Sequence, residues 1–191
     1  IYGTTATLTK NDAGVLTINS FSNITGATTI NKGEIVPKEA GAIPLSVTMT
    51  INSGATLTLD NTSATTVVDR LADTLALTLN GGNFNFIGSS SIATDETSGA
   101  LTVGIATQSG NSNITVAPGS GGSTTMQFAS LTRTAGASIL FRGTSLGSTP
   151  GAGVSTILFT TAPTLTGGSG AANSATISII AGAIGDNSTS G

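Results

Sequence analysis

Apolar residues alternate with Thr, Ser or Asn at a period of two along most of the chain. Leu16-Thr17-Ile18 and Thr28-Thr29-Ile30 open the series, followed by Val47-Thr48-Met49-Thr50-Ile51 and Ala55-Thr56-Leu57-Thr58-Leu59. Leu75-Ala76-Leu77-Thr78-Leu79, Asn83-Phe84-Asn85-Phe86-Ile87 and Asn113-Ile114-Thr115-Val116 continue it, and Thr176-Ile177-Ser178-Ile179-Ile180 closes it. A two-residue period puts one set of side chains inward and the other outward, so these runs predict strands with one buried face. Asp12-Ala13-Gly14, Asn31-Lys32-Gly33, Asn52-Ser53-Gly54, Asn80-Gly81-Gly82, Ser109-Gly110-Asn111 and Ala135-Gly136 separate the runs. Gly and Asn accept the positive φ of a sharp corner. Asp69-Arg70-Leu71-Ala72-Asp73 is the one stretch whose spacing allows a helical turn. The expected class is all-β.

A sandwich, a barrel and a solenoid all satisfy that pattern; a β-sandwich remains the alternative because short strands with frequent turns also fit it. A recurring unit favours the solenoid. A turn ending in Gly leads into an apolar-Thr-apolar strand at Gly14 to Ile18 and at Gly54 to Leu59, with a looser copy at Gly136 to Phe141. Asn31 and Asn52 occupy equivalent corners, where stacked amides can ladder from one coil to the next. At about 20 to 27 residues per coil the chain makes roughly seven to nine rungs, a rod of about 35 to 45 Å. Regular rungs are expected over 1–118. A looser β continuation or cap is expected over 119–191, and 185–191 carries no strand pattern.

Composition narrows the chemistry. Charged residues are 8% and aromatics 4% of the chain, so the interior must be built of thin aliphatic layers and the exterior of neutral polar residues. Cys and His are both absent, removing disulfides, thiol nucleophiles and the commonest general base and metal ligand. Lys10, Lys32, Lys38, Arg70, Arg133 and Arg142 are dispersed in a chain of net charge −3, which gives nucleic acid no footprint. No apolar run is long enough to span a membrane as a helix. The chain begins at Ile1 and reads as a segment of a longer protein.

The run Leu8-Thr9-Lys10-Asn11-Asp12-Ala13-Gly14-Val15-Leu16-Thr17-Ile18 resembles the opening of the autotransporter-associated β-strand repeat, approximately Leu-x-Lys-x-Gly-x-Gly-x-Leu-x-Leu. Its second half, Gly-x-Thr-x-Ile-x-x-Gly-x-Leu, is similar to Gly26-Ala27-Thr28-Thr29-Ile30-Asn31-Lys32-Gly33-Glu34-Ile35. Asp12 stands where the family has Gly, and Ile35 where it has Leu. One clear copy thus covers 8–35. The resemblance implies a right-handed parallel β-helix of the passenger type, extracellular and displayed on a bacterial cell surface. It further implies a structural stalk, filament or adhesin segment without catalytic activity. Partners would be a second copy or adjacent domains, end to end, and surface glycans.

Some β-helices bind or degrade polysaccharides, and that is the alternative function. Such chemistry needs paired carboxylates, or carboxylates with Ca²⁺ and a base. Asp69 and Asp73 flank Arg70, and Asp95-Glu96 is the best-placed candidate for a metal ion. With Thr94 before that pair and Thr97-Ser98-Gly99 after it, a solvated loop is the expected setting. No EF-hand or Gly-Gly-x-Gly-x-Asp loop accompanies it, so no catalytic residue, cofactor or metal is expected. The residues singled out are structural: Gly14, Gly26, Asn31, Gly33, Asn52, Gly54, Asn80 and Gly81.

Overall fold

The computed structural model describes residues 6–64, 69–107, 110–168, 170, 174 and 176–190; Ser109 of the expected 109–111 corner lies outside them. One sheet stacks β1 (Leu8–Lys10), β3 (Thr28–Ile30), β5 (Thr48–Asn52), β7 (Ala76–Asn80), β9 (Thr94–Val103), β11 (Thr124–Arg133) and β13 (Ser155–Phe159) in that order. The other stacks β2 (Val15–Ile18), β4 (Gly33–Pro37), β6 (Ala55–Asp60), β8 (Asn83–Ile87), β10 (Asn111–Ala117), β12 (Ser138–Gly143) and β16 (Ala183–Asp186). Every pairing in these two sheets is parallel, and each strand's neighbour lies one full circuit of the chain away. Parallel strands need a crossover, and here each sheet serves as the crossover of the other. That is a parallel β-helix; a sandwich of antiparallel hairpins is excluded. Isolated bridges between Phe21 and Ala42 and between Ile43 and Leu71 add a short third face to the early coils, while a Lys38–Asp60 bridge extends the β4/β6 ladder.

The inward side chains stack in columns. Leu16, Ile35, Leu57, Phe84, Ile114 and Phe141 face one another in register across one sheet. Ile30, Ile51, Leu79 and Val103 do so across the other. From Ile30 to Val116 these positions are sealed from solvent, and each buried large aliphatic stabilises the coil by about 1.5–3 kcal/mol. The second column is bracketed by Lys10 at its first position and Arg133 at its last.

The circuits lengthen along the coil, though unevenly, with Leu77 and its partner Leu101 only 24 residues apart. Asn11 and Asn31, stacked at one corner, are 20 residues apart; Asn52 and Asn80 are 28 apart, and Thr94 and Thr124 are 30 apart. Longer circuits explain why the seven strands of each sheet sit at the low end of the expected rung count. The interior also departs from the expected aliphatic layers. The later coils pack Phe84, Phe128, Phe141 and Phe159 inside, with ring centroids 6.3, 5.8 and 5.9 Å apart for the pairs 84–128, 128–159 and 141–159.

Two local expectations are corrected. Asp69 to Asp73 forms no helical turn, because Leu71 is drawn into the third face by its bridge to Ile43. Gly185 and Asp186 are strand residues, recruited by pairing with Phe141 and Arg142 although their own pattern is silent. Beyond Gly119 the parallel ladders run on through β11, β12 and β13, and the order then changes. β14 (Leu165–Gly167) pairs antiparallel with β15 (Ser178–Ile180) as a separate two-stranded sheet.

Candidate functional site

The corner glycines are placed by the demands of the turn. Gly33, Gly54 and Gly81 adopt φ of 71°, 78° and 77°, a conformation costly for any residue with a Cβ. At Gly33 a Cβ would also press into the carbonyl oxygens of Gly14 and Asp12, whereas at Gly54 it would meet open space. The Gly14 carbonyl accepts the Glu34 N–H at 3.0 Å, tying the first circuit to the second. Gly26 does likewise, donating its N–H to the Ala6 carbonyl at 2.9 Å and accepting the Ser46 hydroxyl at 2.8 Å.

The Asn residues beside these glycines form a continuous amide ladder. Asn31 donates Nδ2 to Asn11 Oδ1 at 2.7 Å, Asn52 to Asn31 at 2.7 Å, and Asn80 to Asn52 at 3.1 Å. A primary amide carries donors and an acceptor, so one residue type can repeat indefinitely along a stack. Among the described residues the Asn ladder runs as far as Asn80; Val103 pairs with Leu79, so the corner residue of the next circuit is Gly104. Asn11 lacks the Asn-x-Gly signature because its corner, Asn-Asp-Ala-Gly, is one residue longer than the others. Next to the amide ladder, Thr9, Thr29, Thr50, Thr78, Thr102 and Thr132 form an unbroken outward column in register. The other sheet carries shorter polar chains: Asn113 donates to Asn83 at 2.8 Å, and Asn85 to Thr58 at 3.2 Å.

The carboxylate candidates are separated by the strand they share. Asp95 and Glu96 belong to β9, paired with Thr125 and Met126, instead of the expected solvated loop. Successive strand residues face opposite ways, so Asp95 is exposed and Glu96 is 2% exposed. One ion cannot take both. Among the described residues no group of three or more His, Cys, Asp or Glu side chains is placed to hold a metal.

Glu96 instead meets the segment carrying the other candidates. Its Oε2 and Oε1 accept the backbone N–H groups of Arg70 and Leu71, each at 3.0 Å. Burial pushes its carboxyl up to about 8, against the opposing effect of those two N–H bonds. The nearby Asp69 carboxyl adds to that rise, and burial and then Asp73 raise Asp69 itself. Arg70 is wholly buried. Its Nε donates to Asn61 Oδ1 and its Nη1 to the Gly41 carbonyl, while Nη2 reaches the carbonyls of Asp60 at 2.7 Å and Glu39 at 3.2 Å. Burial lowers its pKa, with Glu96 and then Asp60 acting the other way. The cluster thus joins three circuits of the coil through one cation and one carboxyl, both withdrawn from solvent.

An apolar cleft of about 650 Å³ opens at the far end of the coil, where Phe141, Ile157, Phe159 and Ile184 are among its lining residues. Among the described residues no helix is long and apolar enough to cross a membrane, which says nothing of a β-barrel.

The fold class is therefore a parallel β-helix with polar ladders on its outer faces. No model of a known protein family matches the chain, and no solved structure matches it. Part of the chain is similar to the autotransporter adhesin BmaC of Brucella suis biovar 1 (strain 1330), 39% identical over 88 residues. That similarity covers 46% of this chain and 2% of the adhesin.

Proposed function

We propose that this chain is a passenger-type β-helical segment of a bacterial surface stalk, filament or adhesin, carrying the autotransporter-associated repeat at 8–35 and lacking catalytic activity. The observation that carries the reading is the pair of seven-stranded parallel sheets whose outward positions are mainly small and neutral. The Thr column and the Asn ladder present hydroxyls and amides already committed to a regular surface, a better basis for length and rigidity than for chemistry. The partial similarity to an adhesin supports the same reading.

In this role the segment is extracellular, and its partners lie at its two ends. Among the described residues, β1 and β2 leave one pair of strand edges open, β13 and β16 the other. Exposed Val15 and Phe21 flank the first, Leu158 and Ile184 the second. Open edges beside apolar side chains favour another coil, from adjacent domains or from a second copy. Antibodies raised against the purified segment should label intact cells that carry the parent protein, and external protease should remove the signal. Labelling only after lysis would overturn the surface role. Binding on a glycan array would add a ligand to it.

A further inference from the structure

The far end of the coil is hollow at a position where the lower circuits are filled. Ile35, Leu57, Phe84, Ile114 and Phe141 stack in register along one sheet, and the next position of that column is Gly185. Successive strand residues face opposite ways. β12 therefore turns Ile139 and Phe141 inward, while β16, paired with it, turns in only Ala183 and Gly185. Gly185 is not among the glycines of positive φ, and a Cβ added to it would meet nothing within 4 Å. Neither a turn nor a close approach calls for glycine there; its effect is to withhold a core side chain. Phe141, one level below, is 8% exposed, whereas Ile35, Leu57, Phe84 and Ile114 are 0% exposed. The space left open is the apolar cleft of about 650 Å³.

Unpaired backbone runs along the same cleft. The Val154 carbonyl accepts the Thr124 N–H at 3.1 Å, and the Thr160 N–H reaches the Phe128 carbonyl at 2.9 Å. Backbone groups of alternate residues in a parallel strand point to opposite sides. Those of Ile157 and Phe159 consequently turn away from β11, toward the open end. Among the described residues no strand lies beyond β13 or β16. A hydrocarbon ligand would fill the hollow and leave these N–H and C=O groups without partners. An added strand satisfies both demands.

The first end of a second copy is a poor match for this end. Its opening circuit spans the 20 residues from Asn11 to Asn31, against 30 from Thr94 to Thr124. It also carries a hollow of its own, about 250 Å³, beside Leu8, Leu16 and Ile18. Two hollows set face to face enclose a void, and voids forfeit the contacts of every atom that lines them.

Building on the stalk reading, we propose that the hollow over Gly185 is a socket for a further, long-circuit coil of the parent polypeptide. Its strands lie parallel on β13 and β16, and a bulky apolar side chain from the strand on β16 stands over Gly185 and completes the column above Phe141. The partner's chemistry follows from the socket: alternating apolar and neutral polar residues, with a large aliphatic or aromatic at the level of Gly185. The glycine makes the joint a knob in a hole and so fixes the height at which the next coil seats.

The fluorescence of anilinonaphthalene sulfonate, titrated onto the purified segment, should rise to saturation. That rise should be lost in Gly185→Phe, which fills the hollow from within. Equal dye binding by the two proteins would overturn the proposal. In sedimentation the segment should remain monomeric; end-to-end assembly abolished by Gly185→Phe would assign the socket to a second copy and sink the choice of partner. A longer piece of the parent protein, extended past the segment's last residue, supplies a reading that does not depend on the variant. There the dye signal should disappear, and amide exchange at Ile157 and Phe159 should slow about tenfold or more relative to the segment. Exchange as fast as in the segment alone would count decisively against the socket. None of these outcomes bears on the surface role, which is read separately by antibody labelling of cells.

Discussion

A single methyl group has different consequences at two corners that look the same in sequence. Gly33 and Gly54 both follow Asn by two residues, and both have positive φ. Gly54→Ala adds only the left-handed backbone cost, about 1–2 kcal/mol. Gly33→Ala adds overlap with two carbonyl oxygens of the previous circuit, bringing the loss to about 2–5 kcal/mol. Urea unfolding of the two variants should give a clearly lower midpoint for Gly33→Ala; equal midpoints would mean that the first circuit yields to make room. Residue type alone announces the corner, through Gly and its companion Asn. It cannot announce the second cost, which arises from a chain segment that reaches the glycine only after one full turn. The same limit hides the cluster at Arg70. Glu96 lies between Thr94 and Ser98, which are also inward, so the strand's inner face is polar there and alternation gives no sign of burial. Arg70 is 26 residues away from Glu96 in the chain and nothing local connects them.

At the scale of the element, strands are legible where apolar and polar residues alternate and obscure where a neighbour imposes the conformation. β6, Ala-Thr-Leu-Thr-Leu-Asp, is marked by its own pattern. β16, Ala-Ile-Gly-Asp, is held by its ladder to β12 and by Arg142, whose Nε donates to Asp186 Oδ2 at 3.0 Å in the one ion pair among the described residues. Hydrogen bonds from the Ser188 hydroxyl and N–H, and then Arg142, keep the Asp186 carboxyl below the usual range. A depressed carboxyl contributes stability above its unfolded pKa and loses it as pH falls through the lower folded value, so this contact is intact at neutral pH and weakens in acid below about pH 4. The pair is open to solvent and its effect local. In Asp186→Asn at pH 6, amide exchange should quicken in β16 and its partner β12 while β8 keeps its protection. Unchanged exchange in β16 would show that the backbone ladder alone holds this strand.

The whole molecule behaves as a stack in which each circuit touches mainly the next. Leu57→Ala removes a sealed member of one core column and leaves a gap between Ile35 and Phe84, a loss of about 2–5 kcal/mol. Native-state exchange should register that loss most strongly in β4, β6 and β8 and less in β12, several coils away. Uniform loss from end to end would mean the rod opens as one cooperative unit. The parallel coil itself follows from alternation, recurring corners and the scarcity of charge. The uneven lengthening of its circuits does not, because each circuit's length depends on loops whose residues carry no period.

That unevenness gives the chain a way to keep count. A stack of interchangeable coils has no unique alignment during folding, since any strand can dock one level too high or too low and still bury its leucines. Here a strand that docks one level off can bring a circuit of the wrong span, as where the 21 residues from Asn31 to Asn52 are followed by 28 from Asn52 to Asn80, and can set an aliphatic where a phenylalanine belongs. Each level therefore accepts one stretch of chain better than its near-copies. The irregularity between circuits encodes the order in which they must be assembled.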